Sequence, residues 1–498
     1  VSDQEAALEA GAIAEADVLD SEEAGNKVIR GGGLRVLSYV AGLLIGLISA
    51  PLLVRHLSVA DFGVYATVSS IVFVVGGLVE GGLGNVAIRG YATSGPTERV
   101  RLLDALLGLR LVLATLGVVL ALGFTVVAGY QWEVTAGVAI SGVGLLIGAW
   151  QNTLAVALQA GLKLGSLASA DMARQIASTL VIIGLVIAGT GVVPFFVAGP
   201  IAFVAMLAAT LHAGRGTAVR VRPLVDGARW MALIRETSLY AVATALGVLY
   251  FQIAIISTSL LSSSDEAGYY GASFRIVDIA NGVPWLLASS AFPILARAAH
   301  HDADRLRYAT DRLYQTALVV GGIFCVAISV GAPFALQVVG GGKLDPAIPT
   351  LRLLGFGVPF TFLVATWAFT LLSLHAHKAL LAANAVAVVV ALVLSLLLIP
   401  DHGARGAAIT TIVLEIVLAS SYAIALTRTR PDLRPTFGIL PRVAVALSGA
   451  LAVGFLLPVK VVPATVAAVV VYVSLALVTR AVPDEIAIAL RERLRPRA

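Results

Sequence analysis

Apolar residues run along this chain in blocks of about 20, separated by short polar stretches rich in arginine, glycine and proline. At 1.5 Å per residue a helix of that length crosses about 30 Å of hydrocarbon. The blocks predict spans at roughly 34–54, 64–88, 104–128, 134–158, 168–189, 192–213, 238–261, 269–296, 313–338, 351–374, 379–399, 405–427, 440–457 and 462–481. A membrane barrel would show shorter segments of alternating polarity instead. Helices satisfy their own backbone groups in lipid, so the expected fold is an all-α polytopic integral membrane protein with about 14 transmembrane helices.

The two ends differ from the blocks. Residues 1–30 carry Asp3, Glu5, Glu9, Glu15, Asp17, Asp20, Glu22 and Glu23 against Lys27 and Arg30, a net charge of −6 with little to bury. That segment reads as a solvated acidic tail. Ala481 to Ala498 places Ile486, Leu490 and Leu494 among arginines and reads as an interfacial helix. No signal-peptide pattern precedes the first block.

Composition agrees with the pattern. Hydrophobic residues make up 59% and charged residues 13% of the 498, with a mean hydropathy of +0.95. A soluble chain carries about twice that charge. The single cysteine, Cys325, lies in an apolar run and reads as packing, so no disulfide framework exists.

Cation placement gives an orientation. With the N-terminus in the cytoplasm, the cytoplasmic segments and the span ends adjoining them hold 27 of the 34 lysines and arginines, and the outer segments with their span ends hold five: Arg55, Lys343, Arg352, Arg405 and Lys460. Arg110 and Arg275 remain inside spans. The pI near 9.4 then reflects anchoring against anionic lipid, and nucleic acid is not an expected partner. The expected location is the cytoplasmic (inner) membrane of a bacterium, multi-pass, with both termini inside.

The chain also repeats. Asp61-Phe62-Gly63-Val64-Tyr65 enters the second span and Glu266-Ala267-Gly268-Tyr269-Tyr270 the eighth, each following a Leu-Ser pair (Leu57-Ser58, Leu261-Ser262). Six-span spacing suggests two pseudo-symmetric six-helix lobes. The expected organisation is an acidic cytoplasmic tail (1–30), an N-terminal lobe (31–214), a basic cytoplasmic linker (215–236), a C-terminal lobe (237–427), two appended helices (428–482) and a basic tail (483–498).

Enzyme chemistry finds no footing. Gly340-Gly341-Gly342-Lys343 has Leu344 where a phosphate loop needs serine or threonine. Asp302-Ala303-Asp304 lacks an α/β domain around it, and His375 with His377 makes two metal ligands without a third. The chain is expected to be no enzyme and to use no cofactor or metal. The chemistry that stands out is charge inside spans, which costs on the order of 2.5–3.5 kcal/mol and therefore calls for a partner or a wet cavity. Asp171 with Arg174, and Arg275 with Asp278, are i,i+3 pairs. Glu80 and Glu415 have no neighbouring cation in sequence, and ion coupling or cross-helix pairing are both open to them. Arginine stays charged and grips phosphate bidentately, so Arg110, Arg174 and Arg275 suit a phosphate or diphosphate headgroup. Arg89 and Arg35 sit nearer the cytoplasmic ends. Gln151, Asn152, Gln252 and Asn281 are placed to meet sugar hydroxyls or to bond between spans.

Five segments together resemble the oligosaccharide flippases of the multidrug/oligosaccharidyl-lipid/polysaccharide (MOP) exporter superfamily. They are Leu57 to Tyr65; Glu80-Gly81-Gly82-Leu83 followed by Arg89; Gly268-Tyr269-Tyr270 through Arg275, Pro284 and Phe292-Pro293; Asp345 to Leu353; and Ile399-Pro400 through Gly403, Gly406, Ala407 and Ala408. The resemblance implies alternating access between two lobes around a cationic cavity, with Arg275 as its eighth-span arginine. The implied substrate is a polyprenyl-diphosphate-linked oligosaccharide moved to the outer leaflet during cell-surface polysaccharide biosynthesis. Implied partners are that lipid-linked glycan, membrane lipids and glycan-assembly proteins. A cation-coupled drug antiporter of the same superfamily and a membrane enzyme of glycan assembly are the alternatives. The antiporter predicts an aromatic-rich cavity dominated by carboxylates.

Overall fold

The computed structural model describes residues 41–42, 45–46, 49–161, 163–213, 221–435 and 437–482. Both tails expected from sequence, and Arg35, lie outside the described residues. Every regular element among them is helical, and no strand occurs there. Among the described residues, ten helical stretches are long and apolar enough to cross a membrane. Two of those ten, Ala303–Ser373 and His377–Thr429, each hold a pair of crossings. Leu440–Leu456 adds a shorter apolar helix, and helical residues 49–56 end the expected first span. The chain is therefore an all-α, multi-pass membrane protein.

In chain order, the helices are α1 (described at 49–56), α2 (Val59–Glu80), α3 (Leu83–Thr93), α4 (Pro96–Val127), α5 (Trp132–Ala160), α6 (Leu164–Ile187), α7 (Val192–Phe195), α8 (Ala198–Ala213) and α9 (Gly227–Leu261). They continue as α10 (Ser264–His301), α11 (Ala303–Gly340), α12 (Ile348–Ser373), α13 (His377–Thr429), α14 (Leu440–Leu456) and α15 (Val461–Val478). The chain divides into two compact units, Val1–Gln252 and Ile253–Ala498, and the division falls within α9.

The internal repeat has a local cause. Ser58 caps α2 by accepting from the Asp61 amide at 3.0 Å, and Ser263 caps α10 by accepting from the Glu266 amide at 3.2 Å. Both are serine N-caps three residues before an acid, so the repeated serine of the second copy is Ser263 rather than Ser262. The expected span 64–88 is broken. Gly81 (φ +37) and Gly82 (φ +82) adopt left-handed backbone, which ends α2 and starts α3. The Tyr240 ring fills the space where a side chain on Gly82 would stand.

In the first unit the described part of the expected linker is strapped to α4. Asp104 accepts from the Arg222 amide through Oδ1 (2.7 Å) and from the Leu224 amide through its carbonyl (3.1 Å). The Trp230 indole donates to the Ala105 carbonyl at 2.8 Å. Gly108 permits this approach, because a Cβ there would lie 2.3 Å from the Leu224 carbonyl oxygen. Val221 and Leu233 join the core of Leu102, Leu103, Leu106 and Leu107. Helix α9 thus begins at Gly227, eleven residues before the expected span, and Arg229–Glu98 and Arg89–Glu236 ion pairs tie its start to α4 and α3.

In the second unit α12 packs against α10, α11 and α13. Within α13, Gly403 (φ +51, ψ −129) separates two crossings. The appended pair α14 and α15 packs on α11, where the Tyr472 hydroxyl occupies the notch left by Gly322 and donates to the Val319 carbonyl at 3.1 Å. Small residues at four-residue spacing (Ala446, Ala450, Gly454; Ala464, Ala468) are buried along these helices, as close packing in lipid requires.

Candidate functional site

The first unit contains a cavity of about 540 Å³. One stripe of α2 forms a wall of it, with Tyr65, Ser69, Val72, Gly76 and Glu80 recurring at helical spacing. Helix α4 supplies Arg110, α5 supplies Ser141, Leu145 and Asn152, and α6 supplies Arg174. Phe195 and Phe196, at the end of the short α7, and Phe203 of α8 complete the lining.

Arg110 is 1% exposed and bonded through both terminal nitrogens of its guanidinium. Its Nη2 donates to Glu80 Oε1 at 2.7 Å and its Nη1 to the Thr153 hydroxyl at 3.2 Å. Nε has no hydrogen-bond partner among the described residues. Glu80, which has no cation near it in sequence, thus finds one across helices. Gly84 makes room for its carboxylate, since a Cβ there would lie 2.5 Å from Glu80 Oε1. The Glu80-Gly81-Gly82-Leu83-Gly84 segment therefore turns the chain and seats an ion pair in five residues.

Arg174 is held differently. Its pair with Asp171 is long, 3.9 Å through Nε, and its side chain is 40% exposed. Among the described residues its guanidinium is the cavity-lining cation whose two terminal nitrogens carry no hydrogen bond. The expected cationic lining is accordingly modest: two arginines against Glu80, with Asp171 beside Arg174.

The other candidates fall elsewhere. Arg89 is exposed, paired with Glu236, and does not line this cavity. Gln252 is half-buried on α9. In the second unit, Arg275 and Asp278 lie one turn apart on an exposed face of α10. Asn281, on the same helix, is buried, and its Oδ1 accepts no hydrogen bond among the described residues. Glu415 is buried within α13. Gln151 is buried against the Thr210 hydroxyl (3.4 Å), a bond between spans, whereas its neighbour Asn152 faces the cavity.

Sequence reasoning missed Thr153 and the aromatic end of the cavity. Tyr65 stacks on Phe196 with centroids 5.8 Å apart and planes 11° apart, and on Phe62 at 6.2 Å. The Phe195-Phe196 pair between α6 and α8 was the available signal, but nothing in one dimension brings it to Tyr65.

Comparison with known proteins places this arrangement. The family model described as polysaccharide biosynthesis protein matches residues 28–299. No curated protein sequence matches the chain. Among solved structures, the lipid II flippase MurJ in an inward closed conformation superposes with a TM-score of 0.73 at 12% identity, covering 90% of this chain and 99% of that one. An inward-facing multidrug resistance MATE family transporter of the MOP superfamily gives 0.61 at 14% identity, over 78% and 95%. A MOP superfamily transporter from Pyrococcus furiosus, described as having a binding pocket of reverse polarity, gives 0.53 at 15% identity, over 82% and 96%. At these identities the structural likeness establishes the fold, which is that of the MurJ and MATE transporters.

Proposed function

Since the chain belongs to the polysaccharide biosynthesis protein family, we propose that it is a transporter, not an enzyme, that flips a polyprenyl-diphosphate-linked oligosaccharide from the cytoplasmic to the outer leaflet. The observation that carries this reading is the first unit's cavity, with Arg174 half exposed in its wall and Arg110 locked behind it by Glu80 and Thr153. In this mechanism Arg174 grips the diphosphate, the sugars occupy the cavity, and the lipid tail stays in the bilayer. Glu80 and Thr153 hold Arg110 as a fixed positive wall. Arg275 is our candidate cation on the second unit, with Asp278, Asn281 and Glu415 as candidate charge-pairing or ion-coupling groups. Alternating access by the two six-helix lobes, both termini in the cytoplasm and an inner-membrane location complete the proposal.

The test is depletion of the protein followed by chemical identification of the lipid-linked glycan that accumulates, and of its leaflet. Accumulation on the cytoplasmic leaflet is the expected result. Arg174→Ala and Arg275→Ala are expected to leave protein in the membrane and remove transport. Normal transport by both variants refutes the headgroup role.

A second reading, cation-coupled drug antiport, is favoured by one observation: the lining is richer in aromatic rings than the sequence suggested, and it includes Glu80. Loss of dye efflux on depletion, with no glycolipid accumulating, would select it.

A further inference from the structure

Resting on the headgroup reading above, we infer that Tyr65, with the Phe196 ring stacked on it, is a sugar-reading subsite at the far end of the first unit's cavity from Arg174 and Glu80. The cavity follows one face of α2, and Tyr65 and Glu80 both line it. They are 15 residues apart, roughly 22 Å at the helical rise. Arg174 lies 13 residues, roughly 20 Å at the same rise, before the end of α6 at Ile187, and Phe195 and Phe196 follow shortly after that end. Ionised lining is confined to one end, where Glu80 meets Arg110 and where Asn152 adjoins Thr153. The other end is aromatic. Phe195 and Phe196 are 1% and 3% exposed, so their rings are fixed by packing, whereas Tyr65 is half-buried and lines the open space.

A wall meant only for hydrocarbon needs no hydroxyls. Here Ser69, one turn along α2 from Tyr65, and Ser141 of α5 both line the cavity. The half-buried Tyr65 ring, backed by the packed rings of Phe62 and Phe196 and with hydroxyls beside it, suits a pyranose, whose C–H groups pack on the open part of the ring while its hydroxyls exchange hydrogen bonds at the edge. A polar ligand held by its anion at one end and by a ring at the other has one orientation: diphosphate at Arg174, sugars running toward Tyr65. The separation is longer than one sugar ring bridges. Tyr65 therefore touches only the distal sugars of an oligosaccharide, and a single-sugar carrier lipid does not reach it.

The experiment measures binding of three probes to the purified full-length protein in detergent: farnesyl diphosphate, the same lipid bearing one glucose, and the same lipid bearing a glucose tetrasaccharide. Glucose serves because stacking reads the pyranose face rather than a particular sugar. The tetrasaccharide probe is expected to bind tighter than the other two. Tyr65→Ala should weaken it roughly three- to tenfold, an aromatic contact's worth, and leave the two shorter probes unchanged. Tyr65→Phe should keep the tighter binding, and its thermal unfolding controls for the fold. Equal loss of all three probes in Tyr65→Ala overturns the subsite, and so does wild-type protein that binds all three alike. Tyr65→Ala that weakens only a lipophilic cation such as ethidium also overturns it. Failure of the headgroup reading is separately visible: Arg174→Ala would then bind farnesyl diphosphate as wild type does, removing this inference's premise.

Discussion

At the scale of single residues, the governing contact is the ion pair that holds the buried Arg110. Glu80 neutralises Arg110, and Thr153 takes a second of its nitrogens. Glu80→Gln leaves the guanidinium buried with its counter-charge gone, whereas a charge-free double variant, Glu80→Gln with Arg110→Gln, removes both. Glu80 is 41% exposed, so the single change should cost less than a fully buried pair, on the order of 2 kcal/mol. Thermal unfolding in detergent should show the double variant to be more stable than Glu80→Gln alone. Outside the spans, Arg430 grips Asp432 bidentately at 2.9 and 2.8 Å. That bond holds the Asp432 carboxyl below its ordinary range. A depressed carboxylate stabilises the fold at pH values above its unfolded pKa and loses that contribution as pH falls through the folded one. Asp432→Asn should therefore lower stability slightly at neutral pH, by about 0.2–1 kcal/mol for so exposed a pair, and the difference from wild type should vanish under strong acid.

At the scale of elements, the joints are more informative than the helices. Gly403 has a backbone conformation that L-residues avoid, and a Cβ there would lie 2.4 Å from a Glu266 carboxylate oxygen. That same carboxylate accepts from the Ala404 amide at 2.6 Å, so the acid of the second repeated motif caps the second half of α13. Gly403→Val should reduce folded yield more than Glu266→Gln, which keeps an acceptor in place, as judged by size-exclusion of detergent-extracted protein. The strap on α4 is the matching joint in the first unit. Asp104→Ala removes the acceptor of the Arg222 amide, and Gly108→Val drives a side chain into the Leu224 carbonyl. Both should raise protease cleavage within 221–226, Gly108→Val the more strongly, while leaving the helical content seen by circular dichroism unchanged.

At the scale of the whole molecule, the chain is a two-unit helical membrane protein with the fold of MurJ and MATE transporters. Its proposed orientation is open to direct test. Val225 of the strap is 80% exposed and Val459 of the α14–α15 turn 49% exposed. After Cys325→Ser, a membrane-impermeant maleimide applied to spheroplasts should label Val459→Cys and spare Val225→Cys. The opposite labelling would invert the topology and with it the direction of transport proposed.

What the sequence by itself determined is the membrane class and the succession of spans. Both are set by a property that adds along the chain, the transfer of some 20 consecutive residues into hydrocarbon, and neither needs a distant contact. The left-handed joints at Gly81-Gly82 and Gly403 were visible as glycine-bearing motifs, though their effect, breaking one span and separating two, was not. Only the tertiary structure decided which charges meet. Glu80 and Arg110 are 30 residues apart, on helices whose mutual rotation no periodicity fixes. The same holds for Phe196 on Tyr65 and for Asp104 under Leu224. Arg89, a cavity candidate by its place in a motif, points to an ion pair with Glu236 because that partner is 147 residues away and arrives only when the chain folds. In a membrane every span is apolar, so composition says little about which face turns inward. That choice rests on side-chain packing and on the few polar contacts, which exist only between folded helices.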